Sequence, residues 1–181
     1  THDTIVPAAP AFTSSDPASP SRVSSTPTLR GTAEAGANVR LYTNATCTGT
    51  PLFNSDADAG GNFSFIATVL NTTTIFRANA VDPSGNGSAC SAPFLYTHDD
   101  TPPTFAGASS ATAVSTQEIT LGWTAASDNT SSPGQIVYEI CRSTTRRAEG
   151  GCTPFTANFE TAAGATSYTV VGEAADARYY F

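Results

Sequence analysis

Residues 58–69 read Asp58-Ala59-Gly60-Gly61-Asn62-Phe63-Ser64-Phe65-Ile66-Ala67-Thr68-Val69. The first five residues are turn chemistry, because Gly and Asn accept backbone conformations that other residues resist. From there the pattern has period two. Phe63, Phe65, Ala67 and Val69 fall on one face, and Asn62, Ser64 and Thr68 on the other. Strict alternation of this kind describes a strand with one face buried and one wet. A second turn, Asp82-Pro83-Ser84-Gly85-Asn86, follows within a strand's length.

Working outward, the same grammar recurs. Strands are predicted near Thr28–Thr32, Val39–Thr43, Pro51–Asn54, Asn62–Val69, Thr74–Val81 and Ala89–Tyr96. Further along they are predicted near Glu118–Thr124, Ile136–Arg142, Ala157–Glu160 and Ser167–Val171, with another starting at Arg178. Ile119, Leu121 and Trp123 alternate inward, as do Ile136, Tyr138 and Ile140. Helix signals are almost absent, while 14 Gly and 12 Pro punctuate the chain at short intervals. Short strands between frequent turns are the pattern of β-sandwiches. Trp123, the single Trp, reads as the plug of one such core.

The organisation is modular. Thr1-His2-Asp3-Thr4 returns as Thr97-His98-Asp99-Asp100-Thr101, an internal repeat too long for a short-period solenoid. Asp100-Thr101-Pro102-Pro103 is a semi-rigid joint, since two prolines fix φ and disfavour helix before them. The expected division is a module over 1–98, with 1–8 as the tail of a preceding repeat, a Pro-rich linker over 99–103, and a second module over 104–181.

Composition limits the functions available. The 181 residues carry a net charge of −7 and no Lys, so all eight basic residues are Arg. No basic stripe exists to displace counterions from a phosphate backbone, which argues against nucleic-acid binding. The apolar runs are too short for a helix to span a bilayer, so membrane insertion is not expected. Charged residues make up 13%, about half the usual level of about 25%. Ser and Thr, roughly a quarter of the chain, supply the polar surface instead. Residue 1 is Thr with no charged-then-apolar leader after it, so a signal peptide is expected to be removed or to lie upstream.

The two halves resemble known module types. Gly31-Thr32-Ala33-Glu34-Ala35-Gly36-Ala37-Asn38-Val39, Gly61-Asn62-Phe63-Ser64 and Asp82-Pro83-Ser84-Gly85-Asn86 resemble bacterial immunoglobulin-like repeats. Thr120-Leu121-Gly122-Trp123, Tyr138-Glu139-Ile140 and Thr166-Ser167-Tyr168-Thr169-Val170, leading to Arg178-Tyr179-Tyr180-Phe181, resemble a fibronectin type III domain. The resemblance implies an all-β fold: two tandem immunoglobulin-like β-sandwiches, the second lacking its last strand or strands. It puts Tyr179 at the tyrosine corner, with its hydroxyl bonding back to the preceding turn. It also puts Glu173 where the family usually has Leu, which loosens that corner. A fibronectin module normally continues past the point where this sequence stops, and an open apolar groove is the expected result. Two readings account for it. The chain is a fragment, or a neighbouring subunit donates a strand by β-augmentation, giving a head-to-tail homo-oligomeric filament. Thr4–Phe12 is a candidate donor weakened by its prolines.

Four Cys in an acidic Ser/Thr-rich chain point to an oxidising compartment and hence to an extracellular or cell-surface protein. Cys141 and Cys152 flank a turn-rich loop, and Cys47 with Cys90 stays within one module. Of three connectivities, one crossing the Pro-rich joint is the least economical. The competing zinc site has no Cys-x-x-Cys spacing behind it. Asn44, Asn71, Asn86 and Asn129 sit in glycan acceptor patterns, as does Asn62, which already has a turn role. Chance occurrence in a Ser/Thr-rich chain is the competing reading. Asp3, Asp99 and Asp100 cluster at the module ends, where hard oxygen ligands could hold calcium, against the reading as solvated linker acids. His2 and His98 read as relics of the repeat. No other cofactor is implied.

Catalysis needs a nucleophile or an acid–base pair held in a pocket. Here thiols are expected to be oxidised, Lys is absent, and Glu139 and Glu160 fall on solvent-facing positions. The chain therefore reads as non-enzymatic, with neighbouring modules of the same protein as its partners. The leading expectation is a structural or adhesive repeat segment of a secreted or cell-surface bacterial protein, polymerising by strand donation. The alternative is an accessory spacer or carbohydrate-binding module of a secreted hydrolase. Few aromatics outside the core pattern, Tyr42 and Tyr96 among the contenders, are free to stack on sugar.

Overall fold

The computed structural model describes residues 3–181. The fold is all-β, with strands arranged in antiparallel sheets of immunoglobulin-like sandwich type. The chain divides into two compact units, Thr1–Thr101 and Pro102–Phe181.

The first unit packs two sheets face to face. One has the order β1-β2-β5, with β1 Ala11–Asp16, β2 Thr28–Thr32 and β5 Asn62–Ile66. The other has the order β4-β3-β6-β7, with β3 Asn38–Tyr42, β4 Phe53–Asp56, β6 Thr73–Val81 and β7 Phe94–Thr97. Alternation decides what lies between them. Leu29, Val39, Leu41, Phe63, Phe65, Phe76, Ala78 and Tyr96 are all buried in one cluster. Gly31 pairs directly with Phe63, and a methyl group there would collide with the Phe63 ring and the Ala11 carbonyl. Its bare backbone gives Phe12 and Phe63 room for an edge-on contact at 5.6 Å between centroids.

The quoted alternation outruns the ladder. β5 ends at Ile66, yet Ala67 and Val69 remain buried. Their N–H groups donate to the carbonyls of Pro27 and Ser25, so the chain stays extended beside a non-strand segment. The two turns close on their acids. Asp58 accepts from the N–H groups of Gly60 and Asn62, each at 2.8 Å. Asp82 accepts from the Asn86 N–H and side-chain amide, also at 2.8 Å each. Gly61 and Gly85 take the positive φ values, 79° and 91°, while the two Asn residues serve as donors.

The second unit has a sheet β8-β9-β12 and a two-stranded ribbon β10-β11. Here β8 is Ser110–Ala113, β9 Glu118–Gly122, β10 Glu139–Ile140, β11 Phe159–Glu160 and β12 Ser167–Val171. Leu121, Trp123, Ile136, Tyr138, Ile140 and Val170 form its core. Buried rings keep their polar ends satisfied. The Trp123 indole N–H donates to the Ala165 carbonyl at 3.0 Å, and the Tyr138 hydroxyl accepts the Ala126 N–H at 2.7 Å.

The outer faces carry neutral hydroxyl pairs. Thr73 and Thr97, directly opposed across β6 and β7, meet at 2.7 Å. Thr120 and Thr169 do the same across β9 and β12 at 2.9 Å. Such cross-strand pairs contribute about 0.2–1 kcal/mol each.

Candidate functional site

The cysteines close two loops, one in each unit. Cys47 joins Cys90 with Cα atoms 5.6 Å apart, and Cys141 joins Cys152 at 6.0 Å. The second bond staples the turn-rich segment between them.

The acids and histidines at the module ends are engaged locally. Asp3 accepts the Ile5 N–H at 3.0 Å, and its carbonyl accepts the Asn86 amide at 3.3 Å. Asp99 accepts the Thr101 N–H at 3.2 Å. Asp100 donates its N–H to the Asn71 side chain at 3.1 Å, so residues 99–101 lie on the first unit and do not hang free. His98 is buried, with Nδ1 3.0 Å from the Ser21 carbonyl and Nε2 3.9 Å from the Asp100 carboxylate. His2 lies outside the described residues. Among the described residues, no three His, Cys, Asp or Glu side chains converge to hold a metal ion.

The acceptor asparagines are likewise in turns. Asn44 and Asn71 are exposed, with side-chain amides donating to the Thr48 carbonyl at 2.9 Å and the Thr101 hydroxyl at 2.7 Å. Asn86 is half-buried and bonded to Asp82. Asn129 is exposed and donates to the Thr130 hydroxyl at 3.1 Å. Glu139 and Glu160 stand directly opposite each other across β10 and β11, both exposed. Tyr42 and Tyr96 are buried, so neither offers a ring face to a sugar.

Three turn carboxylates are held below their ordinary range by hydrogen bonds to the charged form. For Asp58 the largest cause is the Asn62 backbone N–H. For Asp82 it is the Asn86 side chain. For Asp128 it is the Ser131 N–H, followed by that of Thr130. None of these acids is poised to exchange a proton near neutrality.

The corner of the second unit is tighter than the family comparison implies. The Tyr179 hydroxyl accepts the Ala174 N–H at 2.9 Å. Glu173 is buried, but Arg142 donates to its Oε1 at 2.8 Å. The same guanidinium sits 5.7 Å from the ring centroids of both Phe159 and Tyr179. One arginine therefore gathers the end of β10, β11 and the Tyr179 corner, and it is the charge partner of Glu173.

Beside this corner lies an open cleft of about 580 Å³. Trp123, Tyr138 and Ile140 form its floor, and Phe105, Phe155 and Phe181 its rim. Phe105 and Phe155 escape a reading based on alternation, because both lie in irregular segments. A bulky ring in a Pro- and Gly-rich loop was the available signal.

No protein-family model matches the chain. It is 33% identical to Exoglucanase B of Cellulomonas fimi over 59% of its own length, which is 10% of that protein. The chain thus spans about a tenth of that relative. Among solved structures, the FN1–FN3 domains of chicken CNTN1 align over 97% of this chain and 59% of that one, with TM-score 0.39 and 14% identity. The central fibronectin-III array of RIM-binding protein aligns over 98% and 62%, with TM-score 0.34 and 10% identity.

Proposed function

We propose that the chain is a non-catalytic spacer segment of a longer, secreted polysaccharide-degrading protein. The observation that carries this reading is the match to a small portion of Exoglucanase B. The division into two compact units at a Thr-Pro-Pro stretch supports it, since boundaries between separately folding modules fall in such segments. So does the use of polar groups. Asp58, Asp82 and Asp128 close turns, the thiols are in disulfides, and Glu139 and Glu160 face solvent with no orienting partner among the described residues. The two disulfides favour an oxidising compartment. No helix among the described residues is long and apolar enough to cross a membrane. The assignment of the halves to a bacterial immunoglobulin-like repeat and a fibronectin type III domain is part of this proposal.

An adhesive, filament-forming segment is the second reading, favoured by the open cleft of the second unit. Incubating the 181-residue chain with insoluble cellulose and soluble β-glucans separates these ideas. A spacer stays in the supernatant, releases no reducing sugar and sediments as a monomer at all concentrations. Sugar release, depletion onto cellulose, or growth into filaments would each overturn it.

A further inference from the structure

All eight basic residues are Arg, and most are tied into the fold. Arg30, Arg40 and Arg77 lie within β2, β3 and β6, and Arg142 is held by Glu173. Arg22 and Arg178 are exposed, but the chain beside each is pinned. The Ser21 N–H donates to the Thr97 carbonyl at 3.0 Å, and the Ser21 carbonyl accepts the Asp99 N–H at 3.1 Å. The Ser24 carbonyl accepts the Tyr96 hydroxyl at 3.0 Å. After Arg178, the Tyr179 hydroxyl accepts the Ala174 N–H, and Tyr180 exchanges both backbone bonds with Ser143 at 2.9 and 2.8 Å.

Arg146 and Arg147 are placed differently. They are adjacent, inside the Cys141–Cys152 loop, and every residue of 144–150 is exposed. The backbone bonds of this stretch stay local. The Thr145 N–H reaches the Ser143 hydroxyl at 3.0 Å. The Glu149 and Gly151 N–H groups both reach the Arg146 carbonyl at 2.9 Å, and the Gly150 N–H reaches the Arg147 carbonyl at 3.1 Å. Among the described residues, neither guanidinium has an ion-pair partner. Such a segment opens without disturbing a core. Arg146 is already extended, with φ −63° and ψ 148°, the backbone form in which a peptide is bound as an added strand.

We infer that the loop over 144–150 is a cleavage site for an arginine-directed endoprotease, one whose specificity pocket holds a carboxylate to receive the guanidinium. The peptide bond after Arg146 or Arg147 breaks and one water is consumed, its hydroxyl going to the carbonyl carbon and its proton to the leaving amine. The pieces stay together. The Cys141–Cys152 bond spans the cut, and β9 and β10 before it pair with β12 and β11 after it. The nicked chain therefore keeps both its covalent continuity and the core around Trp123. A loop braced by the rest of the unit would block a protease, whereas this one is braced by its own backbone. The inference stands on the loop and is independent of the spacer reading.

Limited digestion of the folded, full 181-residue chain with trypsin, which cuts after Arg, tests it. The first product is expected to be heavier than the parent by one water. It should run as one band without reductant and as two after reduction, with masses that place the break after Arg146 or Arg147. Trp123 emission should be unchanged by the nick. Replacing both residues, Arg146→Gln with Arg147→Gln, is expected to slow the first cut at least about tenfold, because the remaining arginines open less often. Cys141→Ala with Cys152→Ala should give two bands without reductant. A first cut at Arg22 or Arg178, a chain that stays intact or inhibits trypsin, or a double Gln variant cut as fast as the parent overturns the inference. Loss of the folded Trp123 emission on nicking overturns the claim that the core survives.

Discussion

Glu173 is the most consequential side chain that no local pattern announces. It is 3% exposed, with one oxygen bonded to Arg142 and the other, Oε2, without a hydrogen-bond partner. A buried carboxylate tolerates this only while its cation remains, because losing one partner strands the other charge. Arg142→Met is therefore expected to destabilise the second unit at the lower end of about 3–5 kcal/mol. Adding Glu173→Leu should recover most of that loss, since an apolar pair needs no compensation. Urea denaturation of the two variants checks this, and a double variant no better than the single one would contradict it. The pair joins residues 31 apart in sequence, so neither periodicity nor motif spacing could reveal it. Trp123, by contrast, was legible, because its neighbours alternate around it.

Strands were readable in proportion to how much apolar surface they bury. β2, β5, β6, β9 and β12 start within a residue of their expected positions, since each puts large side chains on one face. β1 and β8 were missed. β8 is Ser-Ala-Thr-Ala and wholly exposed, an edge strand with no inward residue to betray it. β1 lies among prolines and contributes only Phe12 to the core. The turns were readable from their Asp, Gly and Asn residues, and they carry a pH signature. Asp58, Asp82 and Asp128 each titrate below the ordinary value of 3.8 in the folded state. Their folded pKa values are depressed, so the stability they contribute is present above 3.8 and is lost as pH falls through the lower, folded values. Melting curves taken from neutral to strongly acid pH should be flat until that region and then drop. Asp58→Asn or Asp82→Asn should lower the plateau and soften the acid limb. An unchanged acid limb would remove these turns from the account.

At the scale of the whole molecule, each unit carries its own core and its own disulfide. Loop-closure entropy makes the two bonds unequal. The separations are 43 and 11 residues, which correspond to about 4 and about 3 kcal/mol. Replacing Cys47 and Cys90 by Ala should lower the first unit's transition and leave Trp123 fluorescence, a reporter of the second unit alone, unchanged at its own midpoint. Replacing Cys141 and Cys152 should move the Trp123 transition. If either double replacement shifts both transitions equally, the units do not unfold independently. Spacing in the sequence favoured pairings within a module without choosing among three connectivities, and the bonds formed are Cys47–Cys90 and Cys141–Cys152. The rim of the cleft was not legible, because Phe105 and Phe155 lie in loops that spacing does not describe.

The Thr pairs across β6–β7 and β9–β12 have a consequence for the medium the molecule can inhabit. Coulombic contacts weaken as ions crowd in, whereas a hydroxyl bonded to a hydroxyl presents no charge for a counterion atmosphere to screen. Across these two ladders the paired hydroxyls hold contacts that ionic strength does not loosen. Raising the salt concentration should leave both pairings as stable as before.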